Sequence, residues 1–405
     1  MRVLFDGADL TGPRTGVFWS TYHLLLHLAQ LFANKPKGGS LQVLCYRRPY
    51  EIQPFPRELF DRLNLLQLEP VSFRLLPAPH RGRVGLPLAG VHYLVNMLAW
   101  AAVKGLGRLP ARVPDGVDIY HCSDGLLIKG GRAKKVVTVH DLVPFLFPHF
   151  QTLDNRWYHK RKLRYVLHGA DHIVAVSENT KRDLVRLFDV EPERVTVVHN
   201  GCDPIFRPCS QRVEMDAVRK SYGVEGRYLL SVSTLEPRKN LQRLLDCFLL
   251  LKKKPSYRDL NLVLVGASGW KSRRLEANLG ELRGKGLVFL QQVPRKVLPH
   301  LFSEAEVFVY PSLYEGFGLP VLEAMACGCP VVASRSSAIP EVVGDAGLLF
   351  DPMSVEEMAG NIQMFLDDPG LRQKMARQGL DRAQLFSWEG AARKVIDLYR
   401  SLLEQ

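Results

Sequence analysis

Residues 314–334 read YEGFGLPVLEAMACGCPVVAS. Glu315 and Glu323 stand eight apart across a Gly-x-Gly-x-Pro turn, in which Gly316 and Gly318 allow tight backbone and Pro320 suits the first position of a helix. The turn therefore opens a helix, whose free N–H groups and positive dipole end can seat a phosphate or diphosphate. One carboxylate lies on the loop and the other one turn inside the helix, so two acceptors can hold hydroxyls on either side of a phosphate. Hydroxyls on both sides of a phosphate describe a sugar and a ribose, as in a nucleotide-activated donor. The same residues would also make a plain strand, turn and capped helix whose glutamates only complement the dipole.

Outward from that stretch, short apolar, β-branched runs alternate with amphipathic segments along the whole chain. Arg2–Phe5, Leu41–Tyr46, Asp118–His121, Lys135–Val139, His172–Val176 and Arg194–Val198 read as strands of one sheet. Tyr228–Val232, Asn261–Val265, Leu287–Leu290, Val307–Tyr310 and Pro330–Ala333 read as strands of a second. Strands separated by helical patterns imply parallel sheets covered on both faces, with ligands at the carboxyl ends of the strands. A composition break at Asp203–Arg212, rich in proline and charge, marks an interdomain linker. The expected fold class is α/β, with two Rossmann-like domains facing across a cleft that holds the active site. Residues 1–205 would form the first and 206–387 the second, with the helix 388–405 packing back on the first.

At 405 residues the chain suits two domains, and its 46% apolar content supplies both cores. Charged residues are 23%, and no apolar run reaches the roughly 18–20 residues a bilayer span requires. The opening MRVLFDGADL enters a strand at once and has no signal-peptide pattern, so a cytoplasmic location is expected. Seven scattered cysteines without a Cys-x-x-Cys pair read as reduced thiols rather than a disulfide framework or zinc site. The net charge of +13 is concentrated in residues 1–200, which hold 27 Lys and Arg against 17 Asp and Glu. A nucleic-acid partner would suit such a charge, but no RNP-like or finger motif accompanies it. Val91–Leu106, reading VHYLVNMLAWAAVKGL and flanked by Arg81, Arg83, Arg108 and Arg112, suits peripheral contact with an anionic membrane. A buried helix of the first sheet explains it equally.

Several residues at strand ends could carry chemistry. Arg238 and Lys239 follow the strand Tyr228–Val232 and suit a diphosphate, as a bidentate fork and a point charge. A solvated basic turn capped by Asn240 is the plain alternative. Gly12 and Gly16 bracket a turn between the first strand and a helical pattern starting near Phe18, where glycine lets backbone approach phosphates. His140 and Asp141 end the strand Lys135–Val139, and His121 ends its neighbour; a neutral histidine there can hydrogen-bond a sugar hydroxyl or simply pack in the core. Gly266–Lys271, reading GASGWK, is a glycine-rich loop, and Gln292-Val293-Pro294 ends the next strand.

The motifs taken together resemble the retaining glycosyltransferases of family 4, which have the GT-B fold. YEGFGLPVLEAMACGCPVVAS resembles their signature, Ser233–Asn240 (STLEPRKN) their phosphate-binding turn, and Val136–Pro148 (VVTVHDLVPFLFP) and Leu10–Val17 (LTGPRTGV) their acceptor-side and N-terminal segments. Asp203 in HNGCDP and the closing FSWEGAARKVIDLYRSLL also fit. The resemblance implies that Arg238 and Lys239 bind donor phosphates, that Glu323 holds the ribose hydroxyls, and that Glu315 lies against the donor sugar. Backbone at Gly16, Gly316, Phe317, Gly318 and Leu319 would contact sugar or phosphate, and Val293 would seat the base. His140 would touch the donor sugar, with Gly12, His121 and Asp141 as acceptor-side candidates.

The implied reaction moves a hexose from a nucleoside-diphosphate sugar to a hydroxyl of a glycan or lipid-linked acceptor by a front-face route. No cofactor is expected and no metal, since cations and a helix N-terminus can hold the diphosphate. The pattern looks most like bacterial mannosyltransferases that use GDP-mannose. The alternatives are a UDP-sugar-dependent enzyme of the same fold and a non-catalytic sugar-nucleotide-binding protein.

Overall fold

The computed structural model describes residues 1–11, 14–33, 39–46, 70–73, 109–123, 128–129, 131–150, 162–209, 212–269, 273–282, 284–291 and 293–405. Gly12, the Val91–Leu106 segment and Gln292 lie outside them. Contacts divide the chain into two units. The first comprises Met1–Pro148, Thr152–Gly201 and Trp388–Gln405; the second comprises His149–Gln151 and Cys202–Ser387.

The first unit is built on strands β1 (Arg2–Asp6), β2 (Ser40–Tyr46), β3 (Pro70–Phe73), β5 (Ile119–Cys122), β7 (Lys134–Val139), β8 (His172–Ala175) and β9 (Val195–Val197). They form one parallel sheet in the order β3-β2-β1-β5-β7-β8-β9, and β4 (Leu109–Arg112) pairs with β6 (Ile128–Lys129) apart from it. Apolar side chains on both faces of the central strands are buried, as a sheet covered on two sides demands: Val3, Leu4 and Phe5 of β1 are each at most 1% exposed. The helix Gly16–Ala33 packs against the last helix, Trp388–Glu404. Within that packing Trp388 stacks on His23, ring centroids 5.6 Å apart at 17°.

The second unit contains β10 (Tyr228–Val232), β11 (Asn261–Val265), β12 (Leu287–Leu290), β13 (Val307–Tyr310), β14 (Val331–Ser334) and β15 (Leu348–Phe350), in the parallel order β12-β11-β10-β13-β14-β15. The chain starts at β10, runs outward through β11 and β12, then returns to lay β13 on the other side of β10. That reversal is a topological switch point, where connections leave the β10 and β13 carboxyl ends in opposite directions and open a crevice. Helix ends are set by local chemistry. Ser354 Oγ accepts from Glu357 N–H at 3.1 Å to start the helix Val355–Asp367, and Asp368 Oδ1 accepts from Leu371 N–H at 2.9 Å to start the next.

Both sheets are parallel with helical connections, as the alternating pattern implies. The structure adds β3, β4, β6 and β15, none of which the apolar runs disclose. It also starts the first long helix at Gly16 rather than near Phe18, and puts Pro320 at the second position of its helix, after Leu319. Among the described residues no helix is long and apolar enough to cross a membrane.

Candidate functional site

The loop after β10 is fixed before it presents any charge. Ser233 N–H donates to Val265 O at 2.9 Å and Leu235 N–H to Ala267 O at 2.9 Å, so the loops after β10 and β11 continue pairing beyond the sheet. The approach is close enough that a Cβ on Gly266 would lie 1.9 Å from the carbonyl oxygen of Ser233, and one on Gly269 would lie 2.5 Å from that of Leu235. A 3₁₀ turn follows at Pro237–Lys239, ended by Asn240 in the left-handed region at φ 56°. Asparagine tolerates that conformation better than most residues. Here its amide also donates to the carbonyls of Pro311 at 3.0 Å and Pro352 at 2.7 Å, locking the β10 loop to the segments that follow β13 and β15.

Arg238 and Lys239 are thereby aimed at the residues that follow β13. Lys239 Nζ donates to Glu315 Oε1 at 2.6 Å and to the Tyr310 hydroxyl at 2.9 Å. Arg238 spans Glu315 Oε2 at 2.7 Å and Glu236 Oε1 at 2.6 Å. Ser312 Oγ and Tyr310 OH add donations to Glu315 Oε1 at 2.5 and 2.9 Å, and Glu315 N–H donates to Ser337 Oγ at 2.8 Å. The cluster is buried, with Lys239 8% and Glu315 7% exposed. Burial works to raise the Glu315 pKa, but the cations of Arg238 and Lys239 overcome it and hold the carboxyl at about 2. Lys239 is pushed down, by burial first and then by Arg238, with Glu315 opposing. Beside these, Glu236 Oε2 is buried with no hydrogen-bond partner.

Glu323 belongs to a second buried cluster. Gly318, in the left-handed region at φ 110°, caps the helix Leu319–Ala326, as a tight turn before a helix requires. Glu323 lies on the helix's second turn, where Oε1 accepts from Arg295 Nη2 at 2.9 Å, and Arg295 Nε donates to Asp203 Oδ2 at 3.2 Å. Burial raises the Glu323 pKa, Arg295 lowers it, and the balance leaves it pushed up to about 7.

The first-unit candidates divide differently. Gly16 is the exposed first residue of its helix. His140, half-buried at the β7 end, has Nε2 3.4 Å from Ser123 Oγ, which in turn lies 2.7 Å from Thr21 Oγ1. With Ser20, Thr138 and Asn200 these side chains form the polar part of a small, mostly apolar cavity of about 10 Å³ that Leu24, Val174 and Trp388 also line. Asp141 accepts from Val143 N–H at 3.1 Å and so serves its own turn. His121 is a core residue. It is fully buried, with Nδ1 against the Tyr399 hydroxyl and Nε2 2.7 Å from Thr138 Oγ1, and burial drives its pKa down to about 3. Both ring nitrogens are engaged inside the unit, which removes it from the acceptor-side candidates.

Arg238, Lys239 and Glu315 are thus brought together at the switch point, while Glu323 stands with Arg295, which the motifs do not single out. Arg295, Tyr310, Ser312 and Ser337 all escaped the sequence reading. Each lies within a few residues of a strand's carboxyl end, the one signal that could have found them.

Comparison with known proteins agrees with this architecture. A family model described as Glycosyltransferase Family 4 matches residues 16–206, and one described as Glycosyl transferases group 1 matches residues 215–382. The chain is similar to the O-antigen chain mannosyltransferase B of Escherichia coli, 36% identical over 270 residues, or 66% of this chain and 71% of that protein. It is 28% identical over 279 residues to the serotype-specific mannosyltransferase WbdA of Escherichia coli, covering 67% of this chain but 34% of that longer protein. Among solved structures, sucrose-phosphate synthase from Thermosynechococcus elongatus superposes with a TM-score of 0.69 at 21% identity, over 100% of this chain and 99% of that one.

Proposed function

Since this chain belongs to the group 1 glycosyl transferases, with a family 4 amino-terminal half, we propose that it moves mannose from GDP-mannose to a hydroxyl of a glycan or lipid-linked saccharide, with retention of configuration. The observation that carries the reading is the Arg238–Lys239–Glu315 cluster at the second unit's switch point. Two cations held at the carboxyl edge of a parallel sheet beside a glycine-started helix can take the charge that grows on a departing nucleoside diphosphate. Glu315 and Glu236 hold the cations in place by ion pairs, and a diphosphate would compete with them. Glu315 then faces the sugar and Glu323 the ribose, each as a hydroxyl acceptor.

In the reaction the bond from the sugar's anomeric carbon to the diphosphate oxygen breaks, and a bond to the acceptor oxygen forms on the same face. The acceptor's proton passes to the departing phosphate oxygen. Arg238 and Lys239 stabilise that leaving group. Mannose is favoured over other hexoses by the 36% identical relative, named as a mannosyltransferase.

The test is nucleotide release over a panel of GDP-, UDP- and ADP-sugars with a mannan-type oligosaccharide as acceptor. Turnover greatest with GDP-mannose supports the reading. Turnover only with UDP-sugars overturns the donor assignment, and tight binding without turnover of any donor overturns the enzyme.

A further inference from the structure

Arg295 stands where two buried carboxylates meet. Its guanidinium bonds Glu323 at 2.9 Å and Asp203 at 3.2 Å and lies 4.7 Å from the centre of the Phe206 ring. The side chains are nearly closed to water, with Arg295 19%, Glu323 6% and Asp203 9% exposed. The surroundings fix each end. Val297 N–H donates to Pro294 O at 2.8 Å, holding the 3₁₀ turn Arg295–Val297 that leads into the helix Leu298–Glu304. Asp203 Oδ1 accepts from Ile205 N–H at 3.1 Å, which leaves Oδ2 turned to Arg295.

We propose that Arg295 is a positioning residue for the donor, holding the Glu323 carboxylate in place and in its charged form to accept the nucleoside's ribose hydroxyls, while Asp203 and Phe206 hold Arg295. The proposal deepens the functional reading above and rests on Glu323 taking the ribose.

The Arg295 guanidinium is shared between two carboxylates, and Glu323, the more deeply buried of them, feels Asp203 as a like charge. From the turn after β12 it faces Arg295, from the loop at the start of the second unit Asp203 and the Cys202 thiol, and from the end of its own helix the Cys327 thiol. Among these described groups the cation is Arg295, and its guanidinium offsets part of the burial that drives Glu323 toward its neutral form. A neutral carboxyl gives up the charge-assisted bond that an ionised one makes to a hydroxyl. Arginine suits the post because its planar fork can serve two carboxylates at once, which a lysine ammonium does with poorer geometry.

The experiment is calorimetric binding of GDP and of its 2′,3′-dideoxyribose analogue, or of the UDP pair if the wild-type chain prefers UDP, from pH 5.5 to 9. It compares wild type, Arg295→Gln, Arg295→Lys and Glu323→Gln. Wild-type affinity for the ribonucleotide should fall as pH drops through about 7. In Arg295→Gln that fall should move up by one pH unit or more, with affinity at pH 7 down about fivefold or more and recovery toward wild type at pH 9. Arg295→Lys should lie between, and the dideoxy analogue should show little of either effect. If Arg295→Gln does not fold, Arg295→Lys carries the test, and a midpoint equal to wild type overturns the proposal. An Arg295→Gln loss that is equal at every pH and for both sugars also overturns it. Glu323→Gln separates the two ideas. If it keeps the wild-type discrimination between ribose and dideoxyribose, the ribose reading itself fails and the proposal with it. If it loses that discrimination while Arg295→Gln keeps the wild-type midpoint, the proposal alone fails.

Discussion

One nitrogen of Arg238, Nη1, donates both to Glu315 Oε2 and to the carbonyl oxygen of Tyr314, each at 2.7 Å. The guanidinium therefore holds the backbone and the side chain of the β13 loop together, which makes Glu315 a structural anchor as well as a proposed sugar contact. Glu315→Ala leaves Arg238 and the buried Lys239 beside each other without their shared counter-charge. Removing one partner of a buried pair costs about 3–5 kcal/mol, so the variant should unfold at distinctly lower urea concentration. Glu315→Gln, which keeps an acceptor, should lose less. A wild-type unfolding midpoint for Glu315→Ala would show that the cluster contributes nothing to the fold.

Lys239→Ala should lower turnover roughly ten- to a hundredfold, the value of one charge-assisted contact to the donor. The sequence alone suggests a side chain exposed in a cleft, whose removal leaves stability untouched. Burial against Tyr310 and Glu315 changes that expectation, and the same variant should also melt earlier. Lys239→Met, which keeps the apolar stem, separates the two effects: turnover falls as in Lys239→Ala, with a different loss of melting temperature. Full activity in either variant would remove Lys239 from the site.

Glu323 gives stability and binding opposite dependences on pH. Its carboxyl titrates near 7 in the folded chain against an ordinary value of 4.5. A raised acid favours the folded state while it is protonated, so its contribution to stability is full below pH 4.5 and is lost as pH rises to about 7. Nucleotide affinity, which needs the ionised form, rises over the upper part of that interval. Melting curves from pH 5 to 8, without and with saturating nucleotide, should show the nucleotide-induced shift growing with pH, and Glu323→Gln should flatten that growth. A shift that shrinks with pH would contradict the assignment.

Gly266→Ala should be poorly tolerated, because its Cβ would sit 1.9 Å from the Ser233 carbonyl oxygen and push the β11 loop away from the β10 loop, which carries both cations. Overpacking costs about 1–3 kcal/mol and sometimes more, and turnover should fall with it. Gly280→Ala is the matched control within the helix Arg273–Leu282, where a Cβ meets nothing within 4 Å. It should be neutral or stabilising by about 0.5–1 kcal/mol. Equal behaviour of the two variants in a urea titration would contradict the packing argument.

Turnover should persist in excess EDTA, because the proposed clamp for the leaving diphosphate is Arg238 and Lys239. Activity that vanished on chelation and returned with Mg²⁺ or Mn²⁺ would replace that clamp with a metal-assisted step.

The strands β10 to β14 are legible because each is a run of four or five mostly apolar residues bounded by polar turns. β15, three residues long, carries too few positions for a pattern, and β3, opening on a proline, does not look like a strand by propensity. At the site, Arg238, Lys239, Glu315 and Glu323 stand out because the motifs that contain them are local. Arg295 does not, since its partners lie 92 and 28 positions away and only folding brings them within reach. Nor does sequence reveal how deeply Lys239 is buried, because lysine is rarely enclosed unless paired and its pairing with Glu315 spans 76 positions. His121 reads equally as ligand contact or core residue until Tyr399, 278 positions on, fills its second hydrogen bond.

That last contact has a consequence for how the chain is made. The helix Trp388–Glu404 supplies Trp388 against His23 and Tyr399 against His121, yet it leaves the ribosome only after every residue of the second unit. While those residues are being added, the nascent first unit keeps the apolar face of Gly16–Ala33 uncovered and His121 short of a partner. The second unit, continuous from Cys202 to Ser387 apart from three residues, faces no such delay. Synthesis therefore exposes the earlier-made unit for longer than the later one, and chaperone demand should concentrate on the amino-terminal half.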